Sequence, residues 1–297
     1  MGLLAIAPAQ ASPPGDDWTL ETKQDDDKLI QQRFTKLKAN PFDRKQWRAL
    51  EQALGRGGLI RKIEAASDRA PDSVALQILR AQGEMVDGDP AAAAARLAKL
   101  AGKAGSWEKR VFDMRVDALE QAKSWSEAID VLEAEAKSRP KDADDLLERA
   151  YKLADRASMH DRALELAQGL SKLDPKDTGA LVRVARAARG AGKHELSDES
   201  YEKAIGKSKG DARNELVAER ARARLDAGHT GEAAKLLWDL LDDGGRGRAD
   251  QREGWWADLE TCYRKEARSE VLVHELEQWL EQDKHGREVA AWQALAR

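Results

Sequence analysis

The chain has 297 residues and a mass of 32.8 kDa, with 41% hydrophobic and 35% charged residues, three Phe, three Tyr and a net charge of −4. It is too apolar to be disordered as a whole and too poor in strand-forming aromatics for a β protein, whereas its Ala, Leu, Glu, Lys and Arg favour helix. Residues 16–28 hold six acids against Lys23 and Lys28, so the remainder balances to zero, which excludes the basic surface of a general nucleic-acid binder.

At the N-terminus, Leu3, Leu4, Ala5, Ile6 and Ala7 precede Ala9-Gln10-Ala11 and Ser12-Pro13-Pro14-Gly15. The order resembles the back half of a secretory signal with its small-residue cleavage site, lacking the basic segment that opens one. Two expectations follow. Either residues 1–11 are a signal remnant of an exported (periplasmic or secreted) protein, or they are an alanine-rich tail of a cytoplasmic one. Residues 12–40 read as an acidic linker and lead helix. No apolar run approaches the roughly 20 residues of a membrane-spanning helix. The single cysteine, Cys262, allows no intrachain disulfide.

From residue 41 onward a helical period recurs. Leu59, Ala93, Ala128, Ala163, Ser197, Ala233 and Val271 follow one another at spacings of 34, 35, 35, 34, 36 and 38 residues. Four residues after the first six stand Ile63, Leu97, Leu132, Ala167, Tyr201 and Leu237; in the last the aliphatic slips to Leu276. Three further on come Ala66, Leu100, Leu170, Ala204 and Leu240, with Glu135 breaking the row. Offsets of four and seven share one helical face, so each such helix buries a single stripe. Twelve residues after the opening position stand Pro71, Gly105, Pro140, Pro175, Lys209 (beside Gly210) and Gly245, each able to end the helix. Asp72, Asp142, Asp177 and Asp211 follow as candidate caps for the next helix. Gly88, Gly192 and Gly228, five residues before the opening position, mark a tight turn with positive φ.

This pattern resembles the tetratricopeptide repeat family over residues 41–286, best in the units built around Ala163 and Ser197. The resemblance implies an all-α, right-handed superhelical solenoid of about seven stacked antiparallel helix pairs, with first helices lining an inner wall. Those first helices carry the family's bulky and small rows loosely, as in Phe112, Leu147, Leu181, Val217 and Trp255. It also implies a non-catalytic scaffold that binds a peptide or partner helix, in a bacterial envelope assembly if the chain is exported. The alternative is the helical solenoid portion of a larger enzyme or machine whose active domain is expected beyond Arg297. A pentatricopeptide reading shares the period, but its RNA partner conflicts with the balanced charge. Trp107, Trp125, Trp238 and Trp279 read as packing between helices.

Catalytic chemistry has no convergent residues. His160 and His194 occupy one repeat position just after the turn and His229 is one residue off it, a turn preference with no ligand spacing, so neither metal nor cofactor is expected. Cys262 shares a face with Trp255 and Leu259 and reads as a buried, inert thiol.

Binding has better candidates. Lys152, Arg186 and Arg222 are equivalent residues of successive first helices, and Arg183 and Arg189 extend a basic stripe suited to an acidic segment or a terminal carboxylate, or simply a solvated basic face. Glu148 and Glu219 lie within one turn of Lys152 and Arg222, whereas no acid lies between Thr178 and His194 to relieve Arg186. The carboxylate clamp of chaperone-binding members is unmatched, with Val182 and Ala218 in its lysine places. Trp256 continues the row of Glu148, Val182 and Ala218, and Tyr263 lies on its face; the pair is either an exposed anchor or core. Residues 287–297 start a further first helix whose Val289, Trp292 and Leu295 form an apolar stripe, expected to pair end to end with another copy or to meet further chain.

Overall fold

The computed structural model describes residues 17–242, 249–282 and 291, and the chain divides into two compact units, Met1–Ser124 and Trp125–Arg297. The first unit contains α1 (Asp17–Ala39), α2 (Arg44–Leu54), α3 (Arg56–Arg69), α4 (Val74–Asp87), α5 (Pro90–Ala98) and α6 (Glu108–Gln121), with a 3₁₀ turn at Gly105–Trp107. The second contains α7 (Trp125–Ser138), α8 (Ala143–Arg156), α9 (His160–Leu173), α10 (Thr178–Gly190), α11 (His194–Lys207), α12 (Gly210–Asp226), α13 (Thr230–Asp242), α14 (Ala249–Lys265) and α15 (Ser269–Leu280). The described residues hold no strand, and none of their helices is long and apolar enough to cross a membrane. The acidic stretch from Asp17 is helical and belongs to α1, the lead helix.

The seven second helices required by the repeat are α3, α5, α7, α9, α11, α13 and α15, and within each unit helices pack against their chain neighbours. Their apolar stripes are the core. Leu59, Ala93, Ala128, Ala163, Ser197 and Ala233 are all buried, as are Ile63, Leu97, Leu132, Ala167, Tyr201 and Leu237. Ser197 tolerates full burial because its hydroxyl donates to the Ala185 carbonyl of α10 at 2.9 Å. Where Glu135 interrupts the row, Ala136 takes the buried place and Glu135 turns out to Arg139 at 2.6 Å.

The last repeat differs from expectation. Val271 is 37% exposed, and Leu272, Leu276, Trp279 and Leu280 are buried instead. Shifting the opening position to Leu272 restores offsets of four and seven on one face. The turns agree with that shift. Gly88, Lys123, Ser158, Gly192, Gly228 and Ala267 all have positive φ, and each stands five residues before its opening position once Leu272 is that of α15.

Of the four expected aspartate caps only Asp177 bonds through its carboxylate, to Gly179 N at 2.8 Å and Ala180 N at 2.9 Å. Its backbone is extended (φ −67, ψ 114), which swings the side chain over the helix end. Asp142 precedes α8 with φ −104 and ψ 5 and makes no such bond. Asp72 lies one residue before the cap Ser73, and Asp211 sits inside the first turn of α12. Asp43 and Asp89, unforeseen, cap α2 and α5.

The stripe Val289, Trp292 and Leu295 lies outside the described residues. Ala291, within that stub, is fully buried in the core formed by α12 to α15.

Candidate functional site

The first helices α8, α10 and α12 of the second unit enclose an open cleft of about 550 Å³. Lys152, Arg183 and Arg186 line it together with Val182, Leu216, Tyr151 and four carboxylates, Glu148, Asp155, Glu215 and Glu219. Three of the expected basic residues therefore converge. Their charge does not stand free.

Every arginine of the stripe is paired, mostly with an acid of the neighbouring first helix. Arg186 grips Glu219 with both arms, Nε to Oε2 at 2.8 Å and Nη2 to Oε1 at 2.5 Å. Arg189 meets Asp226 at 2.6 Å, and Arg222 meets Asp258 at 2.7 Å. Arg183 binds Asp177 at 2.9 Å and approaches Glu148 at 3.3 Å, while Lys152 shares Glu148 at 3.3 Å. The pairing expected from the sequence for Lys152 and Arg222 thus extends to every base of the stripe, as a ladder of ion pairs. Arg186, which lacks any acid within its own helix, finds one 33 residues away.

Glu219 is the best-held member. Burial pushes its carboxyl up, but the Arg186 guanidinium and the Tyr201 hydroxyl, which donates to it at 3.0 Å, outweigh that and keep it below the usual carboxylate range. Burial and the adjacent Glu219 charge push the Tyr201 phenol well above its ordinary value, so it stays a donor. Arg189 and Arg222 lie on the same helices but outside the residues lining the cleft.

Trp256 and Tyr263 are not groove residues. They are 1% and 7% exposed, in a core with Trp255, Leu259, Cys262 and Trp279. Trp256 packs edge-on against Trp238 at 5.6 Å and Trp279 at 5.2 Å. The Tyr263 hydroxyl accepts from Trp238 Nε1 at 3.0 Å and donates to Glu275, and burial pushes its phenol up to about 12. The exposed-anchor alternative fails because α14 is covered over a broad face by both α13 and α15, so neighbouring rows of its surface are buried together. The Cys262 thiol, pushed up to about 11 by burial, lies in the same core. No group of three or more His, Cys, Asp or Glu able to hold a metal ion occurs among the described residues. His160 and His194 each open a second helix.

The first unit offers a site that sequence reasoning missed. A groove of about 470 Å³ on its first helices α2, α4 and α6 is lined by Phe42, Trp47, Met85, Val86 and Met114, with Asp113 and Arg110 at its wall. The Arg110 guanidinium stacks on the Phe42 ring at 4.1 Å. The available signal was apolar residues on first helices at positions the buried stripe does not use.

No protein-family model matches the sequence, and no curated protein matches it. Solved structures do. A chain of the Naa15/Naa10 structure bound to HypK-THB superposes with a TM-score of 0.53 at 13% identity, covering 91% of this chain but only 38% of its own length. A tetratricopeptide repeat protein from Parabacteroides merdae aligns over 92% of this chain and 98% of that one, with a TM-score of 0.40 and 12% identity. A Podosopora anserina protein of nearly identical TPR-like repeats covers 58% of this chain and 96% of its own, with a TM-score of 0.41 and 15% identity. The first of these carries the fold. Together with the helix pairs and their stripes, it establishes a tetratricopeptide-like helical-repeat architecture.

Proposed function

We propose that this chain is a non-catalytic protein-interaction scaffold that receives a peptide or partner helix across its first helices. The observation that carries this reading is the α8–α10–α12 cleft, where the half-buried Val182 and the buried Leu216 line an open space among paired charges on helices. The Phe42–Trp47–Met85 groove adds a second surface rich in the side chains that anchor protein partners. The test is photocrosslinking in the native host, with a benzoylphenylalanine placed at Ala212 in the cleft, at Val86 in the groove, or at Leu173, an exposed residue ending the second helix α9. Partner crosslinks at 212 or 86 and none at 173 are expected. Crosslinks at 173 alone would move the binding surface off the first helices.

The envelope role belongs to the same proposal and depends on export. Protein isolated from the host should then begin near Ser12, and an intact Met1 would remove the envelope from the reading. A second reading, a helical portion of a larger assembly, is favoured by the 38% coverage of the Naa15/Naa10 chain. Denaturing electrophoresis of host extract, probed for this chain, separates the two: a band well above 32.8 kDa that also carries a catalytic domain supports the second.

A further inference from the structure

Resting on the cleft reading above, we propose that the segment seated between α8, α10 and α12 is basic, presenting lysine or arginine side chains to Asp155 and Glu215. The argument is a census of charge already spent. Every base that lines the cleft holds a carboxylate of this chain: Lys152 and Arg183 share Glu148, Arg183 also holds Asp177, and Arg186 is clamped on Glu219. The acids are not spent in the same way. Among the described residues, Asp155 is exposed on α8 and forms no ion pair, and Glu215 is exposed on α12 and accepts only from the neutral Gln251 amide at 2.7 Å. Four carboxylates face three cations, so among the described residues the cleft is net negative and its unpaired charge is negative.

An acidic ligand that takes Arg186 must compete with Glu219, which already holds its Nε and Nη2. That exchange replaces one carboxylate by another, strands Glu219 beside the buried Tyr201 ring, and gives up a partner held permanently close by the fold. A cationic ligand breaks no ion pair. Its charged heads meet Asp155 and Glu215, while its aliphatic stems lie along the half-buried Val182. Nucleic acid is disfavoured by the same negative charge.

The experiment is selection of a random library of end-blocked 12-residue peptides on the full chain, repeated on Asp155→Asn/Glu215→Gln, with thermal melting of the double variant as a folding control. Both residues are exposed, so the variant should melt with the parent protein. Peptides retained by the parent and lost by the variant should be enriched in Lys and Arg over the input by about threefold, the effect expected of one or two exposed ion pairs. Enrichment of Asp and Glu among peptides that Val182→Arg releases would overturn the basic partner while leaving the cleft as the binding surface. Basic peptides that survive both the double variant and Val182→Arg bind elsewhere, and would also overturn it. Failure to recover any peptide sensitive to Val182→Arg would remove the cleft reading itself.

Discussion

Three turn residues carry a cost that their neighbours in the repeat avoid. Lys123, Ser158 and Ala267 have φ of 57, 55 and 53, where Gly88, Gly192 and Gly228 stand in the equivalent turns. A side chain in the left-handed region costs roughly 1–2 kcal/mol, partly offset by the larger freedom that glycine loses on folding. Each of Lys123→Gly, Ser158→Gly and Ala267→Gly should therefore raise stability by about 0.5–1 kcal/mol in urea unfolding. No gain at any of the three would contradict the assigned turn. Gly190 shows the opposite constraint. A Cβ there would stand 2.7 Å from His160 Nδ1 and 3.4 Å from its Cγ, so the ring is met near its base and must leave its rotamer. Gly190→Ala should destabilise by about 1–2 kcal/mol despite its better helix propensity. Adding His160→Ala should recover most of the loss, whereas additive losses would show that the contact is not the cause.

The helices were legible in the sequence wherever their logic is local. Offsets of four and seven read directly as a buried stripe, and Ser197, Tyr201 and Ala204 lie where that stripe requires. Val271 misled because it is the aliphatic residue nearest the expected spacing, whereas the buried stripe of α15 opens one residue later at Leu272. The ladder could not be read, because Arg186 and Glu219, or Arg222 and Asp258, are joined only after stacking brings residues 33 and 36 apart into contact. The α11–α12 pairing follows the same rule and gives a pH prediction. Asp198 on α11 receives two bonds from each of Arg220 and Arg224 on α12. Burial pushes the Asp198 carboxyl up, but the two guanidiniums prevail and hold it at about 2. Its folded value is below the unfolded one, near 3.9, so its contribution is complete above about pH 4 and is lost as pH falls toward 2. Asp198→Asn should cost about 2 kcal/mol at neutral pH, and its stability should then fall less steeply between pH 4 and 2. A parallel acid limb in both proteins would deny the carboxylate that role.

At the scale of the whole molecule, four of the nine tryptophans gather in one place. Trp255, Trp256 and Trp279 are buried in the core of α12 to α15, with Trp238 packed on them, and three of these rings lie within 6.2 Å of one another. The chain thus carries a built-in optical reporter weighted toward one stretch, while its amide absorption comes from all fifteen described helices. Arrays of repeats need not melt as one cooperative body. Heating followed by tryptophan emission should be weighted toward the last pairs, and heating followed by circular dichroism should average over all of them, so the two curves should separate. Superimposed curves would mean that the repeats unfold together. Rings this close also couple their transitions, so the far-ultraviolet spectrum should carry a tryptophan exciton band on the long-wavelength side of the helical minimum. That band should vanish in Trp256→Phe with the helical signal retained, leaving a spectroscopic handle on one end of the chain that needs no label.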